Sequence, residues 1–150
     1  MTAPTESSPA AMNVAGRRVT VVGLGRFAGG VGVTRWLVGE GAHVTVSDKA
    51  PAEALAASVR KLDGLDVALH LGGHREEDFL GADLLVVNPA VPDDLPQLAR
   101  AAEAGVPRTT EINLLLARCP ATVAGVTGSV GKSTTTAMLG EILSRRRTTH

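Results

Sequence analysis

Cysteine, net charge and long apolar runs are scarce in this sequence, and each shortage excludes a class of protein. Cys119 is the only cysteine, so no intrachain disulfide can form and a reducing cytosol is the expected compartment. The 15 basic and 15 acidic residues cancel, which gives no indication of nucleic acid or an anionic membrane as a partner. No stretch reaches the roughly 18 apolar residues that span a bilayer. Residues 1–16 lack the features of a signal peptide. We expect a cytoplasmic, soluble protein with a disordered tail over residues 1–16.

What the sequence does contain is an alternation of short β-branched runs and longer helical stretches. Strands are predicted at residues 18–23, 43–48, 67–71, 84–88 and near Arg108, and helices at 27–41, 52–62, 95–104 and 111–118. Apolar strands separated by helices indicate a parallel sheet covered on both faces. The predicted fold class is therefore α/β, with a Rossmann-like domain over residues 17–118.

A second domain is predicted to begin at residue 119. The segment 121-ATVAGVT-127 is predicted to be an apolar strand, followed by a glycine-rich loop and a helix that runs to about Arg146. This order of strand, loop and helix is typical of the start of a P-loop ATPase domain. Residues 119–150 would then form only the beginning of such a domain.

The first motif is Gly23-x-Gly25-x-x-Ala28, between the first strand and the first helix. Glycines there let the backbone turn tightly, and the helix N-terminus offers N–H groups to a diphosphate. Asp48 ends the second strand, where an acidic group meets a ribose or base in such folds. NAD, FAD and UDP-sugars all use this geometry, and the glycines and Asp48 could also serve only as a turn and a helix cap.

The second motif is Gly128-x-x-Gly131-Lys132-Ser133-Thr134. In such a loop, backbone N–H groups hold phosphate oxygens, the lysine reaches the β- and γ-phosphates and a hydroxyl binds Mg²⁺. The general P-loop pattern requires glycine at position 126, where this sequence has Val126. The core residues and the predicted helix nevertheless agree with a phosphate site.

Four segments together carry a resemblance to a known family. The loop 125-GVTGSVGKST-134 resembles the phosphate loop of the Mur ligase superfamily, G-[IV]-T-G-[ST]-N-G-K-[ST]-T. The segments 21-VVGLGRFAGG-30, 85-LVVNPAVP-92 and 103-EAGVPRTTEINLLL-116 precede it in the order found in the D-glutamate-adding, MurD-type ligases. The resemblance covers about residues 17–146, and the N-terminal portion of such a ligase is its implied identity.

The resemblance implies that the first domain binds UDP-N-acetylmuramoyl-L-alanine. The implied contacts to the diphosphate, uracil and sugar come from Gly23, Gly25, Arg26, Phe27, Ala28, Asp48, Lys49, Asn88, Pro89 and Ala90. Phe27 stands where a small or hydroxylated residue is usual, and Asn88 and Ala90 replace the family's Ser and Gly.

The resemblance also implies that the second domain binds ATP and Mg²⁺. Lys132 would be the catalytic residue and Ser133 the Mg²⁺ ligand, within a cradle of Gly128, Ser129, Val130, Gly131, Lys132, Ser133 and Thr134. Val130 replaces the family's usual Asn. The implied reaction phosphorylates the substrate carboxylate to an acyl phosphate, which the amine of D-glutamate attacks. The full-length enzyme would be a monomer with no nucleic-acid or membrane partner.

Because MurD-type ligases need more residues than this chain has, we expect it to be the N-terminal part of a longer ligase or the product of a truncated frame, inactive alone. The alternatives are another Mur ligase such as the L-alanine-adding enzyme, and a non-catalytic UDP-sugar-binding module. A folylpolyglutamate synthase would lack the preceding Rossmann-like domain. An NAD(P)-dependent oxidoreductase would leave the Lys132 loop unexplained.

Overall fold

The computed structural model describes residues 13–25 and 29–149. The predicted diphosphate contacts Arg26, Phe27 and Ala28 lie outside the described residues. The chain divides into two compact units, one ending at Arg118 and the other beginning at Cys119. Among the described residues, no helix combines the length and apolar character needed to cross a membrane.

The first unit is built on a five-stranded, fully parallel sheet in the order β3-β2-β1-β4-β5. Its strands are β1 Arg18–Val22, β2 His43–Asp48, β3 Val67–Leu71, β4 Leu84–Val87 and β5 Arg108–Thr109. The chain moves outward from β1 to β3, returns to the other side of β1 with β4, and continues to β5. The β1 and β4 pair is therefore the point at which the strand order reverses, where α/β sheets bind ligands.

Helices cover both faces of this sheet, which confirms the predicted Rossmann-like class. They are α1 Gly29–Gly39, α2 Ala56–Arg60 (preceded by a 3₁₀ turn at Ala52–Leu55), α3 Glu76–Leu80, α4 Pro96–Glu103 and α5 Glu111–Arg118. The predicted strands at 43–48 and 67–71 and the predicted helix at 111–118 have those bounds in the structure. The predicted single helix at 52–62 is instead the 3₁₀ turn and the short α2.

Two apolar clusters, one on each face of the sheet, form the core of the first unit. On one face, α1 and α5 pack on β4 through Leu84 and Val86; on the other, Phe79 of α3 and Leu98 of α4 pack on Leu85. Neighbouring residues of β4 thus belong to opposite clusters, as the two-residue period of a strand requires. Burial on both faces explains why β4 is apolar throughout.

The predicted tail over residues 1–16 is wrong at its end. Val14 is 1 % exposed and belongs to the core, and the Gly16 N–H donates to the Gly41 carbonyl at 2.7 Å. The segment before β1 therefore packs on the turn that follows α1. Its apolar Val14 is buried because it completes the cluster formed by α1 and the sheet.

The predicted strand at 121–127 is also wrong, because these residues form no strand in the structure. A strand exists only when its backbone N–H and C=O groups pair with a neighbour, and no strand of the second unit's described residues offers such a partner. The predicted helix is present as α6, Lys132–Ser144. None of its residues is buried, and Met138 and Ile142 are more than half exposed.

Candidate functional site

A cleft of about 440 Å³ opens at the carboxyl ends of β1, β2 and β4. This is the edge of the sheet where the strand order reverses, so the cleft lies where this fold class binds ligands. Six predicted site residues line it: Gly23, Gly25, Asp48, Lys49, Asn88 and Ala90. Pro89 is exposed at the neighbouring turn and is not among the lining residues.

The glycine turn at the floor of the cleft requires its glycines. Gly23 and Gly25 have φ of +89° and +68°, a backbone conformation that side chains disfavour. A Cβ on Gly23 would also lie 2.8 Å from Val91 Cγ2 and 3.1 Å from Asn88 Cβ. The turn therefore needs glycine both for its backbone angles and for the close approach of the loop after β4.

Gly30 allows the first turn of α1 to pack closely against the glycine turn. A Cβ at Gly30 would lie 2.3 Å from the Leu24 carbonyl oxygen and 2.7 Å from Leu24 Cα. The first turn of α1 is thus in direct contact with the glycine turn. The second glycine of the pair Gly29–Gly30 was the only sequence signal of this contact.

Asp48 fastens the glycine turn to the end of β2. Its Oδ2 accepts a hydrogen bond from the Gly25 N–H at 3.1 Å, and its Oδ1 accepts one from the Ala50 N–H at 2.8 Å. The residue is 7 % exposed, so these bonds stabilise a nearly buried carboxylate. Ser58 adds a third restraint, because its hydroxyl donates to the Gly25 carbonyl at 2.9 Å. The carboxylate is therefore part of the cleft's frame as well as its lining.

Asn88 shapes the opposite wall of the cleft. Its N–H donates to the Val22 carbonyl at 2.9 Å, and its side-chain Oδ1 accepts from the Ala90 N–H at 2.9 Å. Its carbonyl accepts from the Val91 N–H at 2.9 Å, which closes a turn. This turn directs the chain from β4 over the glycine turn of β1.

The sequence analysis missed two groups at the site. Glu111 lies against the start of α1, since a Cβ on Gly29 would be 2.8 Å from its Oε2. His74 lines the cleft, and burial lowers its pKa; Lys49 adds a smaller lowering, and the Asp48 and Asp78 carboxylates act in the opposite direction. Like Asp48, His74 comes soon after the carboxyl end of a strand, and that position was the signal that could have found it.

In the second unit, the second glycine-rich loop, which is the predicted phosphate loop, leads directly into α6. Gly131 adopts φ of +81° immediately before the helix, and the first helical bond is that of the Thr135 N–H to the Gly131 carbonyl at 2.9 Å. The Lys132 ammonium donates to the Gly128 carbonyl at 2.5 Å, so it lies over the loop. Val130 is 93 % exposed. Lys132, Ser133 and Thr134 stand in the first helical turn, whose N–H groups have no intrahelical acceptor.

Comparison with known proteins identifies one family. The sequence profile of the family described as "Mur ligase MurD-like, N-terminal domain" matches residues 17–110. Among curated relatives, the UDP-N-acetylmuramoylalanine–D-glutamate ligase of Roseiflexus sp. (strain RS-1) is 44% identical over 88% of this chain. The ligase of the same name from Geobacter metallireducens is 44% identical over 89% of it.

This chain spans 28% and 29% of the lengths of those two relatives. Among solved structures, one match is the UDP-N-acetylmuramate:L-alanyl-γ-D-glutamyl-meso-diaminopimelate ligase of Neisseria meningitides, with a TM-score of 0.54 and 21% sequence identity. The match covers 87% of this chain and 40% of the ligase chain. A murein peptide ligase of Psychrobacter arcticus 273-4 covers 86% at 24% identity, with a TM-score of 0.52 and 26% of its length matched. These two likenesses concern the fold.

Proposed function

This chain belongs to the Mur ligase MurD-like N-terminal domain family, and we propose that it supplies the UDP-substrate cleft and the phosphate loop of a UDP-N-acetylmuramoyl-L-alanine:D-glutamate ligase. The observation that carries the proposal is the cleft at the β1–β4 reversal, lined by six of the residues that the family resemblance predicts. The sequence identity of 44% to two ligases of that name supports it. The reaction would take place in the cytoplasm.

In this proposal the cleft holds the UDP end of the substrate. The first turn of α1 offers backbone N–H groups to the diphosphate, as helix N-termini do for anions. The N–H groups of Gly23 and Gly25 already donate to the Ser47 carbonyl and the Asp48 carboxylate, so these glycines contribute a close approach of the backbone to the ligand. Asp48 and Lys49 would face the uracil, and the Asn88–Ala90 turn would meet the sugar. Arg26, Phe27 and Ala28 would complete the diphosphate contacts by their place in the sequence.

The phosphate loop would bind ATP. The Lys132 ammonium already lies over the loop, where it would neutralise phosphate charge, and Gly128, Ser129, Val130, Gly131 and Thr134 would form the cradle. The residues fit a magnesium ion in one respect, since the Ser133 hydroxyl in the first helical turn is a hard oxygen ligand of the kind Mg²⁺ prefers. When bound, such an ion neutralises developing charge on the transferring phosphoryl group.

The proposed reaction is the one that the family resemblance implies. The γ-phosphoryl group of ATP is transferred to the carboxylate of the UDP-linked substrate, giving an acyl phosphate and ADP. The amine of D-glutamate then attacks the acyl carbon, an amide bond forms, and phosphate and a proton leave. The contribution of this chain is binding, orientation and the Lys132 charge. We expect the 150-residue chain by itself to release no ADP in response to D-glutamate. None of the residues of α6, the helix that carries Lys132, is buried, so no packed core holds Lys132 in a fixed position.

Calorimetry with three ligands tests the proposal. We expect the 150-residue chain to bind UDP-N-acetylmuramoyl-L-alanine, to bind Mg·ATP weakly or not at all, and not to bind NADH. Binding of NADH without binding of the UDP-linked substrate would contradict the proposal and favour an oxidoreductase domain. Binding of the UDP-linked substrate by a longer chain that never releases ADP would favour a non-catalytic module.

Glu111→Gln tests whether the diphosphate binds at the start of α1. The Glu111 carboxylate lies against Gly29, where it stabilises the helix N-terminus but repels a phosphate. We expect the free energy of unfolding to fall by about 0.3–1 kcal/mol. The affinity for the UDP-linked substrate should rise roughly two- to fivefold at low salt, and this gain should shrink in high salt because charges are screened.

The matched control is Glu103→Gln, which removes the same charge from an exposed position at the end of α4. The control should leave affinity unchanged. A Glu111→Gln variant that binds the UDP-linked substrate no more tightly than the control at low salt would exclude a diphosphate at this helix end.

A further inference from the structure

His74 is held on two sides at the wall of the cleft. Its Nδ1 lies 2.9 Å from the Ser47 hydroxyl, and its ring meets that of Phe79 edge to face, with centroids 5.7 Å apart at 88°. Ser47 and Phe79 are both fully buried. A ring restrained by a buried hydrogen bond and a buried aromatic contact has one orientation. The fold therefore also fixes the direction of the opposite ring edge, which carries Nε2.

The partner of Nδ1 determines which nitrogen of His74 carries the proton. The buried Ser47 hydroxyl has one proton to donate, and His74 Nδ1 is its one acceptor among the described residues. If Nδ1 carried the proton instead, the hydroxyl proton would be buried without an acceptor, which costs about 1–3 kcal/mol. Nδ1 therefore accepts and Nε2 carries the proton, in a neutral ring.

Charge and burial agree with this neutral form. Burial lowers the pKa of His74; the Asp48 and Asp78 carboxylates act in the opposite direction, and Lys49 adds to the lowering. Among residues 13–25 and 29–149, no group forms a hydrogen bond with Nε2. Nε2 is also not among the polar atoms of these residues that are fully buried without a hydrogen-bond partner. Since His74 lines the cleft beside Gly25, Asp48 and Lys49, its Nε2–H is an uncharged donor available to a ligand.

We propose that His74 is a specificity-determining residue whose Nε2–H donates a hydrogen bond to a carbonyl oxygen of the pyrimidine base. This inference rests on the proposed function, because it assigns a residue to the uridine end of the same cleft. A carbonyl fits better than a phosphate at this place. The negative charges of the Asp48 and Asp78 carboxylates are near enough to affect the pKa of His74, and they would repel a phosphate bound to its Nε2. Ser47 is then a positioning residue, which sets the tautomer without contacting the base.

Calorimetry with UDP and with the 150-residue chain tests this inference. His74→Phe keeps a ring against Phe79 but removes the donor, and we expect the dissociation constant for UDP to rise roughly 3- to 10-fold, as for one lost neutral hydrogen bond. Ser47→Ala, which leaves His74 in place but no longer fixes its tautomer, should show a smaller loss. His43→Asn, at an exposed position at the opposite end of β2, should bind UDP as the unaltered chain does.

Nitrogen-15 NMR of the histidine rings distinguishes a base contact from a purely structural role, because a structural role would not change the Nε2 resonance when UDP binds. We expect His74 to show a protonated Nε2 and an unprotonated Nδ1 at pH 7.5, and the Nε2 resonance to shift when UDP is added. Unchanged UDP affinity in His74→Phe, or a protonated Nδ1 in the unaltered chain, would overturn the inference while leaving the proposed function intact. If the unaltered chain binds no UDP, the proposed function fails first and this inference with it.

Discussion

Gly30→Ala is expected to lower the free energy of unfolding by about 3 kcal/mol and to abolish binding of the UDP-linked substrate. The new Cβ would lie 2.3 Å from the Leu24 carbonyl oxygen, 2.7 Å from Leu24 Cα and 2.8 Å from the Gly23 carbonyl oxygen. All three are backbone atoms, and Leu24 is fully buried, so no flexible side chain can move to make room. Relief requires α1 and the glycine turn to separate, which would move the proposed diphosphate contacts.

Gly32→Ala is the matched control for this prediction. Gly32 lies in the same helix, but a Cβ there would meet nothing within 4 Å. The control should therefore raise the free energy of unfolding, by about 0.5–1 kcal/mol, because alanine loses less backbone entropy in a helix than glycine. Urea unfolding followed by the fluorescence of Trp36, the single tryptophan and a residue of α1, measures both variants. Equal unfolding midpoints for the two variants would show that close packing at Gly30 is unnecessary.

Asp48→Ala is expected to have the second largest effect. It removes the acceptor of the Gly25 and Ala50 N–H groups, in a place that is only 7 % exposed. Donors left without a partner cost roughly 1–3 kcal/mol each, and water can replace part of the loss, so we expect a total of about 2–3 kcal/mol. Because Gly25 is then no longer tied to β2, the affinity for the UDP-linked substrate should fall roughly tenfold or more.

Two further variants separate the framework role of Asp48 from its charge. Asp48→Asn retains one carbonyl oxygen and so keeps one of the two bonds, and we expect it to lose about half as much stability. Asp63→Ala removes an exposed carboxylate and should unfold and bind as the unaltered chain does. Calorimetry and urea unfolding measure all three. An Asp48→Ala variant as stable as Asp63→Ala would contradict the framework role.

Most of the first unit could be predicted from its sequence because its signals are local. A run of apolar residues such as β4 is long enough to form a strand, and a helical period such as that of α4 places Leu98 and Ala101 on one buried face. The glycines at 23 and 25 have φ values that glycine alone adopts readily, so the turn is specified within three residues. Such signals do not depend on what lies elsewhere in the chain.

Local signals wrongly predicted a strand at residues 121–127, because this segment is as apolar as a strand should be. A strand is stable only when a neighbour pairs with its backbone, and that neighbour is not part of the segment's own sequence. The same reason explains Val14, whose burial depends on a cluster assembled from α1 and the sheet. Local pattern determines what a segment can form, and a distant partner decides whether it does.

The sequence by itself determined the fold class, the glycine turn and the helix that follows the second glycine-rich loop, because each depends on residues within a few positions of one another. Only the tertiary structure decided which side chains meet in the cleft. His74 reaches Ser47 across 27 positions, and Glu111 reaches Gly29 across a longer interval still. Parallel pairing of β1, β2, β3 and β4 brings their carboxyl ends to one edge, and contacts so distant in the chain exist only after that register forms.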